Sequence, residues 1–244
     1  MVHLSRALMF GAAVLALGAC GDKGAQPAEA KATKGATQAQ ARDWRTAVIA
    51  TPEGGYRMGN PDARVKLVEY ASFTCSHCRD FHLAATPVLK DELVRSGQVS
   101  YEYRPFILNG PDVIAALAAK CNGPDRFFPL ADQLYRNHDQ WVTPFTKLTE
   151  ADLAPLQRLP QNQQIAAFAN AAGFNRWAAV RGLPAAKLNQ CLTDQAAADR
   201  LQAVAQNAQT QFNIAGTPTF ILNGEKVEGT DWGGLQPKIR AALS

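Results

Sequence analysis

The chain is poor in the residues that build metal centres. Four histidines and five cysteines are spread over 244 residues. There is no second Cys-X-X-Cys, no His-X-X-X-His and no Met- or His-rich stretch, so the common structural-zinc and metal-store patterns are absent. Charge of one sign is also scarce. A formal net charge of +4 gives no basis for a nucleic-acid or strongly acidic partner. Gly54-Gly55 and Gly233-Gly234 lack the spacing of a nucleotide loop and read as turns. No internal repeat is present, and no cofactor is expected. The apolar run over residues 7–17 is too short to cross a bilayer as a stable helix.

That run has another reading. Arg6 precedes it and Gly18-Ala19-Cys20 follows, which is the pattern of a secretory signal over residues 1–19. Leu17-Gly18-Ala19-Cys20 resembles the lipobox of bacterial lipoproteins, in which the cysteine becomes the lipidated first residue. Cleavage nearby with an incidental Cys20 is the alternative. Residues 20–43 are dominated by Ala, Lys, Gln, Gly and Thr and bury too little surface to order themselves. They read as a flexible tether with a reach of roughly 25 Å. Cysteine parity agrees with lipidation. The cysteines are 20, 75, 78, 121 and 191. Setting Cys20 aside leaves four. The short spacing of Cys75 and Cys78 pairs those two, which leaves Cys121 with Cys191. Export makes such a disulfide persistent.

The rest of the chain reads as α/β. Short strands are expected over 44–49 and 55–58, then a strand over 65–71, a helix over 75–95 bent at Pro87, and a strand over 99–105. A β-α-β unit of this kind implies parallel strands with a right-handed crossover. From 111 to 211 the pattern is helical, with helices expected over 113–121, 127–137, 151–159, 163–172, 185–191 and 196–211. Strand character returns at 219–222, followed by the hairpin signal Asn223-Gly224 and a strand over 225–227. A helix over 235–243 closes the chain.

Cys75-Ser76-His77-Cys78 lies where the 65–71 strand gives way to the following helix. Two cysteines at this spacing can close a disulfide or share a metal. A helix start favours an anion, here the Cys75 thiolate. The segment Val68-Glu69-Tyr70-Ala71-Ser72-Phe73-Thr74-Cys75-Ser76-His77-Cys78, with Asn60-Pro61-Asp62-Ala63 before it, resembles the DsbA-like thiol:disulfide oxidoreductases of the bacterial envelope. Gly216-Thr217-Pro218-Thr219-Phe220 is similar to that family's cis-proline loop. The resemblance runs from about residue 55 to the end. It implies a thioredoxin-like domain, 44–110 and 212–244, interrupted by a helical insertion domain, 111–211. The Ser76-His77 dipeptide departs from the Pro-His of the best-known oxidases, so redox poise does not carry over.

Each candidate residue has an expected role. Cys75 is the nucleophile, and Cys78, one turn further in, resolves the mixed disulfide. His77 favours the Cys75 thiolate through its imidazole, unless it simply faces solvent. Glu69 interrupts an apolar strand, where a carboxylate is costly without a partner or a task. The resemblance implies a buried acid that relays a proton to Cys78. The plainer alternative has Lys66 and Glu69 marking the edges of an exposed face. Pro218 is expected in cis by resemblance, presenting a backbone edge to an extended peptide, with Thr217 against the sulfurs. Cys121–Cys191 is expected to be structural.

The expected activity is introduction of disulfides into exported proteins. Reduced or unfolded exported proteins are the substrates, a membrane redox partner recycles the cysteines, and the protein works as a monomer near a membrane. Two alternatives stand beside it. One is an isomerase or reductase of the same fold. The other is a lipid-anchored module binding metal through Cys75, Cys78 and His82.

Overall fold

The computed structural model describes residues 42–229 and 231–244. The expected signal peptide, the expected lipidation site at Cys20 and nearly all of the tether lie outside the described residues. Six strands form one sheet in the order β1-β2-β4-β3-β5-β6. They are β1 (Val48–Ala50), β2 (Tyr56–Met58), β3 (Val65–Ala71), β4 (Val99–Pro105), β5 (Thr219–Leu222) and β6 (Glu225–Val227). The central pair β3 and β4 is parallel, and every other pairing is antiparallel. Asn223 and Gly224 both take positive φ, as a two-residue hairpin requires.

The β3–β4 crossover is the helix α1 (Ser76–Val88) continued by a wider helical turn over Leu89–Val94. Pro87 lies inside α1 and supplies no N–H to the ladder. The bend expected there takes the form of this turn, which buries Leu89, Lys90, Leu93 and Val94. A run of helices separates β4 from β5. It comprises α2 (Gly110–Lys120), α3 (Pro124–Arg136), α4 (His138–Thr146), α5 (Glu150–Leu153), α6 (Gln161–Ala171), α7 (Phe174–Ala179), α8 (Ala185–Leu192) and α9 (Gln195–Phe212). The helix α10 (Trp232–Leu243) ends the chain.

One apolar core joins the sheet to α1, α10 and the inserted helices, and includes Leu67, Ala71, Phe73, Phe81, Phe127, Leu134 and Phe220. A smaller cluster on the other face joins Tyr70 and Ile221 to Val204 and Ala208 of α9. Both faces of β3 are therefore covered near its C-terminal end. The side-chain period of two places Lys66 and Glu69 on opposite faces. Lys66 is exposed while Glu69 is 1% exposed, so they do not share an outer face.

Several boundaries differ from expectation. Trp44–Thr46 is a helical turn capped by Asp43, and the first strand is confined to Val48–Ala50. The helix expected over 151–159 is broken at Pro155 into α5 and a turn over Leu156–Arg158. Two short helices, α4 and α7, were not anticipated. Their buried anchors are few: His138, Trp141 and Phe145 on α4, and Phe174 and Ala178 on α7.

Cys121, at the end of α2, is bonded to Cys191 of α8, with the two Cα atoms 5.7 Å apart. The bridge closes a separation of 70 residues. Replacing both cysteines with alanine should lower stability by up to about 4 kcal/mol, by the loop-closure argument. Denaturant unfolding measures this. Graded glutathione should open Cys75–Cys78 first. If Cys121–Cys191 opens first or cycles during turnover, its purely structural reading fails.

Candidate active site

The chain leaves β3 at Ala71, turns through Ser72 to Cys75, and enters α1. Cys75 is the N-cap, in an extended conformation with no side-chain capping bond. Its sulfur is therefore free to face the unpaired N–H groups of the first helical turn. Cys75 is half-buried and Cys78 fully buried, and both are free thiols. On the far side, the Thr217–Pro218 peptide bond is cis. The Cys75 thiol donates to the Thr217 carbonyl at 3.4 Å. The Thr217 hydroxyl is buried without a formed hydrogen bond among the described residues, and it adds to the stabilisation of the Cys75 anion.

The two thiols are strongly unequal. Cys75 is lowered to about 5. The largest cause is the thiol of Cys78 donating to the Cys75 sulfur, with Thr217 and the backbone N–H groups of Cys78 and His77 adding to it against the cost of burial. Cys78 is pushed far up, first by burial and then by its bond to Cys75 and the nearby charge of Glu69. One sulfur is thus a ready thiolate and the other holds its proton. His77 is exposed and acts on Cys75 through its main-chain N–H. Any contribution from its ring is smaller than that of Cys78.

Beneath the thiols lies Glu69. Burial pushes its carboxyl up to about 7. Two neighbours pull the other way: the Tyr101 hydroxyl, which donates to Oε2, and the ammonium of Lys90. Oε1 has no partner among the described residues. Lys90 is itself buried, lies 5.7 Å from the Tyr101 ring centre and 5.5 Å from that of Phe128, and pairs with Asp132 at 2.8 Å. An acid poised near neutrality beside a buried thiol can either give or take its proton.

His82 faces Asp132, not the sulfurs. Its Nε2 lies 2.8 Å from Oδ1, and burial lowers the ring to about 4, so it is neutral at physiological pH. Among the described residues no group of three His, Cys, Asp or Glu side chains is placed to hold a metal. Tyr101, Lys90 and Asp112 were not singled out from the sequence. Tyr101 sits in an apolar strand and Lys90 in an amphipathic helix, where either residue type is ordinary. Asn109-Gly110-Pro111-Asp112 carried a helix-start signature that points to Asn109 as cap and brings Asp112 into the first turn.

A strand-to-helix Cys-X-X-Cys facing a cis-proline loop defines a class, and the comparisons agree. A sequence model of the family described as Thioredoxin matches residues 51–240, and the chain belongs to that family. Within it the chain shares its fold with a solved DsbA structure. A solved structure from Novosphingobium aromaticivorans, described as a protein-disulfide isomerase, is 35% identical with a TM-score of 0.73. It covers 78% of this chain, and this chain covers 98% of it. Wolbachia pipientis alpha-DsbA1 shares the fold at 21% identity and a TM-score of 0.63, over 82% of this chain and 96% of its own. A Rickettsia bellii protein described as "Putative protein-disulfide oxidoreductase" is 25% identical over 188 residues, covering 76% of this chain and 63% of that protein. The chain spans about three fifths of the length of the curated relatives it matches first. No helix among the described residues is long and apolar enough to cross a membrane.

Proposed function

We propose that the protein is a thiol:disulfide oxidoreductase that donates the Cys75–Cys78 disulfide to thiols of exported proteins. The observation that carries this is the inequality of the two sulfurs. A thiolate stabilised at Cys75 favours the reduced pair, and a stabilised reduced pair makes the disulfide a stronger oxidant. A substrate thiolate attacks the Cys75 sulfur, the Cys75–Cys78 bond breaks, and Cys78 leaves. Cys78 takes a proton, which Glu69 supplies. A second substrate thiolate attacks the substrate sulfur of the mixed disulfide, and Cys75 leaves as a thiolate. Two electrons pass from the substrate to the pair, and a membrane redox partner removes them afterwards. The cis-Pro218 loop offers the backbone edge along which the substrate strand lies.

The isomerase reading has one observation in its favour, the description of the 35% identical Novosphingobium aromaticivorans structure. Equilibration with glutathione separates the two. The donor reading predicts a potential toward the oxidising end of the range and oxidation of a reduced model protein in stoichiometric assay. A potential near that of thioredoxin, with no net oxidation, overturns it.

Export and anchoring complete the proposal. They rest on the signal pattern of residues 1–19 and on Cys20. Cys20→Ser should move the mature protein from a membrane fraction to a soluble envelope fraction with its thiol exchange intact. A soluble wild-type protein, or a mature N-terminus at another residue, contradicts anchoring.

A further inference from the structure

The catalytic turn is held largely by residues of the inserted helices. The Tyr135 hydroxyl on α3 donates to the Ser72 carbonyl at 3.2 Å, and the Asn109 amide donates to the Thr74 hydroxyl at 2.9 Å. Asn109 also caps α2 by accepting the Asp112 N–H at 3.0 Å. The strongest tie is Asp112. Its side chain accepts the Phe73 N–H at 2.8 Å through one oxygen and the Leu108 N–H at 3.0 Å through the other. Asp112 is 1% exposed. A buried carboxylate is costly unless it is satisfied, and this one is satisfied by two main-chain amides on separate segments. One segment is the turn two residues before Cys75, and the other is the link from β4 to α2. Loss of the acceptor would leave the buried Phe73 amide unpaired and release the Leu108 link.

We propose that Asp112 is a positioning residue for Cys75: a single carboxylate on α2 locks the catalytic turn to the helical insertion. The inference rests on the reading of Cys75 as the nucleophile. Two titratable groups feel the charge of Asp112, Cys75 on the turn and the buried phenol of Tyr103 on β4. Burial pushes the Asp112 carboxyl up to about 6, and the Cys75 anion adds to the rise. Protonation of Asp112 therefore relieves repulsion on the Cys75 thiolate, and ionisation of Asp112 increases it.

Two measurements on the full chain test this. In the reduced wild-type protein, the amide proton signals of Phe73 and Leu108 should move together with pH, with one midpoint near about 6. This readout needs no exchange activity, so it stands even if the protein proves not to be a disulfide donor. Amides that do not titrate, or that titrate separately, overturn the clamp. Asp112→Asn keeps the shape but removes the charge and one acceptor. It should slow disulfide transfer about tenfold or more through misplacement of Cys75, and it should abolish the shared pH step of the Phe73 and Leu108 amide signals. The Cys75 midpoint should stay near about 5, because Asp112 is already mostly protonated there. A folded Asp112→Asn protein with wild-type transfer, or one that keeps the shared amide step, overturns the proposal.

Discussion

Replacing Cys75 with serine is expected to abolish disulfide transfer to a reduced model protein. The reason is the asymmetry of the pair. Cys75 is the accessible sulfur, touches the Thr217 carbonyl and ionises at about 5, whereas Cys78 is fully buried and holds its proton. No other free thiol is present among the described residues to take its place. Cys78→Ala should behave differently. Presented with a disulfide-bearing protein, its Cys75 should form a mixed disulfide that persists, because the group that would resolve it is missing. The same variant should raise the Cys75 pKa, since the Cys78 thiol is the largest cause of its depression. His77→Ala should shift it less, because the main-chain N–H remains. Non-reducing electrophoresis and mass spectrometry read the trapped species. Full transfer activity in Cys75→Ser, or no captured partner in Cys78→Ala, would reverse the assignment of the two sulfurs.

Glu69→Gln should have the second large effect, and in two directions. Glutamine keeps the size and the bond from Tyr101 but cannot exchange a proton with Cys78. Steps that form or break the Cys78–sulfur bond should slow by about a hundredfold, the range typical of a lost general acid–base group. In the wild type, attack by Cys78 requires ionised Glu69, so its rate should rise with pH through about 7. The variant should lose that limb. Stability should move the opposite way. The folded carboxyl binds its proton more tightly than the unfolded one, so native protein loses stability as pH rises from the ordinary glutamate range to about 7. Above that pH, Glu69→Gln should be the more stable protein, by on the order of 3 kcal/mol. At acidic pH the difference should vanish. Equal stability at both ends of this range would mean that Glu69 is not held against ionisation.

The site was legible where chemistry is local in sequence. Cys75-Ser76-His77-Cys78 at a strand-to-helix junction, Glu69 two residues before the strand ends, and Thr217-Pro218 before the last hairpin could all be named from the chain. Period-two alternation alone would have separated Lys66 from Glu69. What sequence could not give is contact across the fold. Tyr101 meets Glu69 because β3 and β4 run parallel in one register. Lys90 is buried by the wider helical turn that follows α1. Asp112 reaches Phe73 only once α2 packs behind the catalytic turn. The helices α4 and α7 were missed for a related reason: they are short, and their stability comes from packing of Trp141, Phe145 and Phe174 together rather than from their own pattern.

The central claim is that Cys75 is a stabilised thiolate. Its most direct test is thiolate absorbance against pH in the reduced protein, with Cys75→Ser as the blank. A single accessible thiol titrating near about 5, with Cys78 silent across the neutral range, is the predicted result. A Cys75 midpoint in the ordinary thiol range of about 8 to 9 would contradict the account.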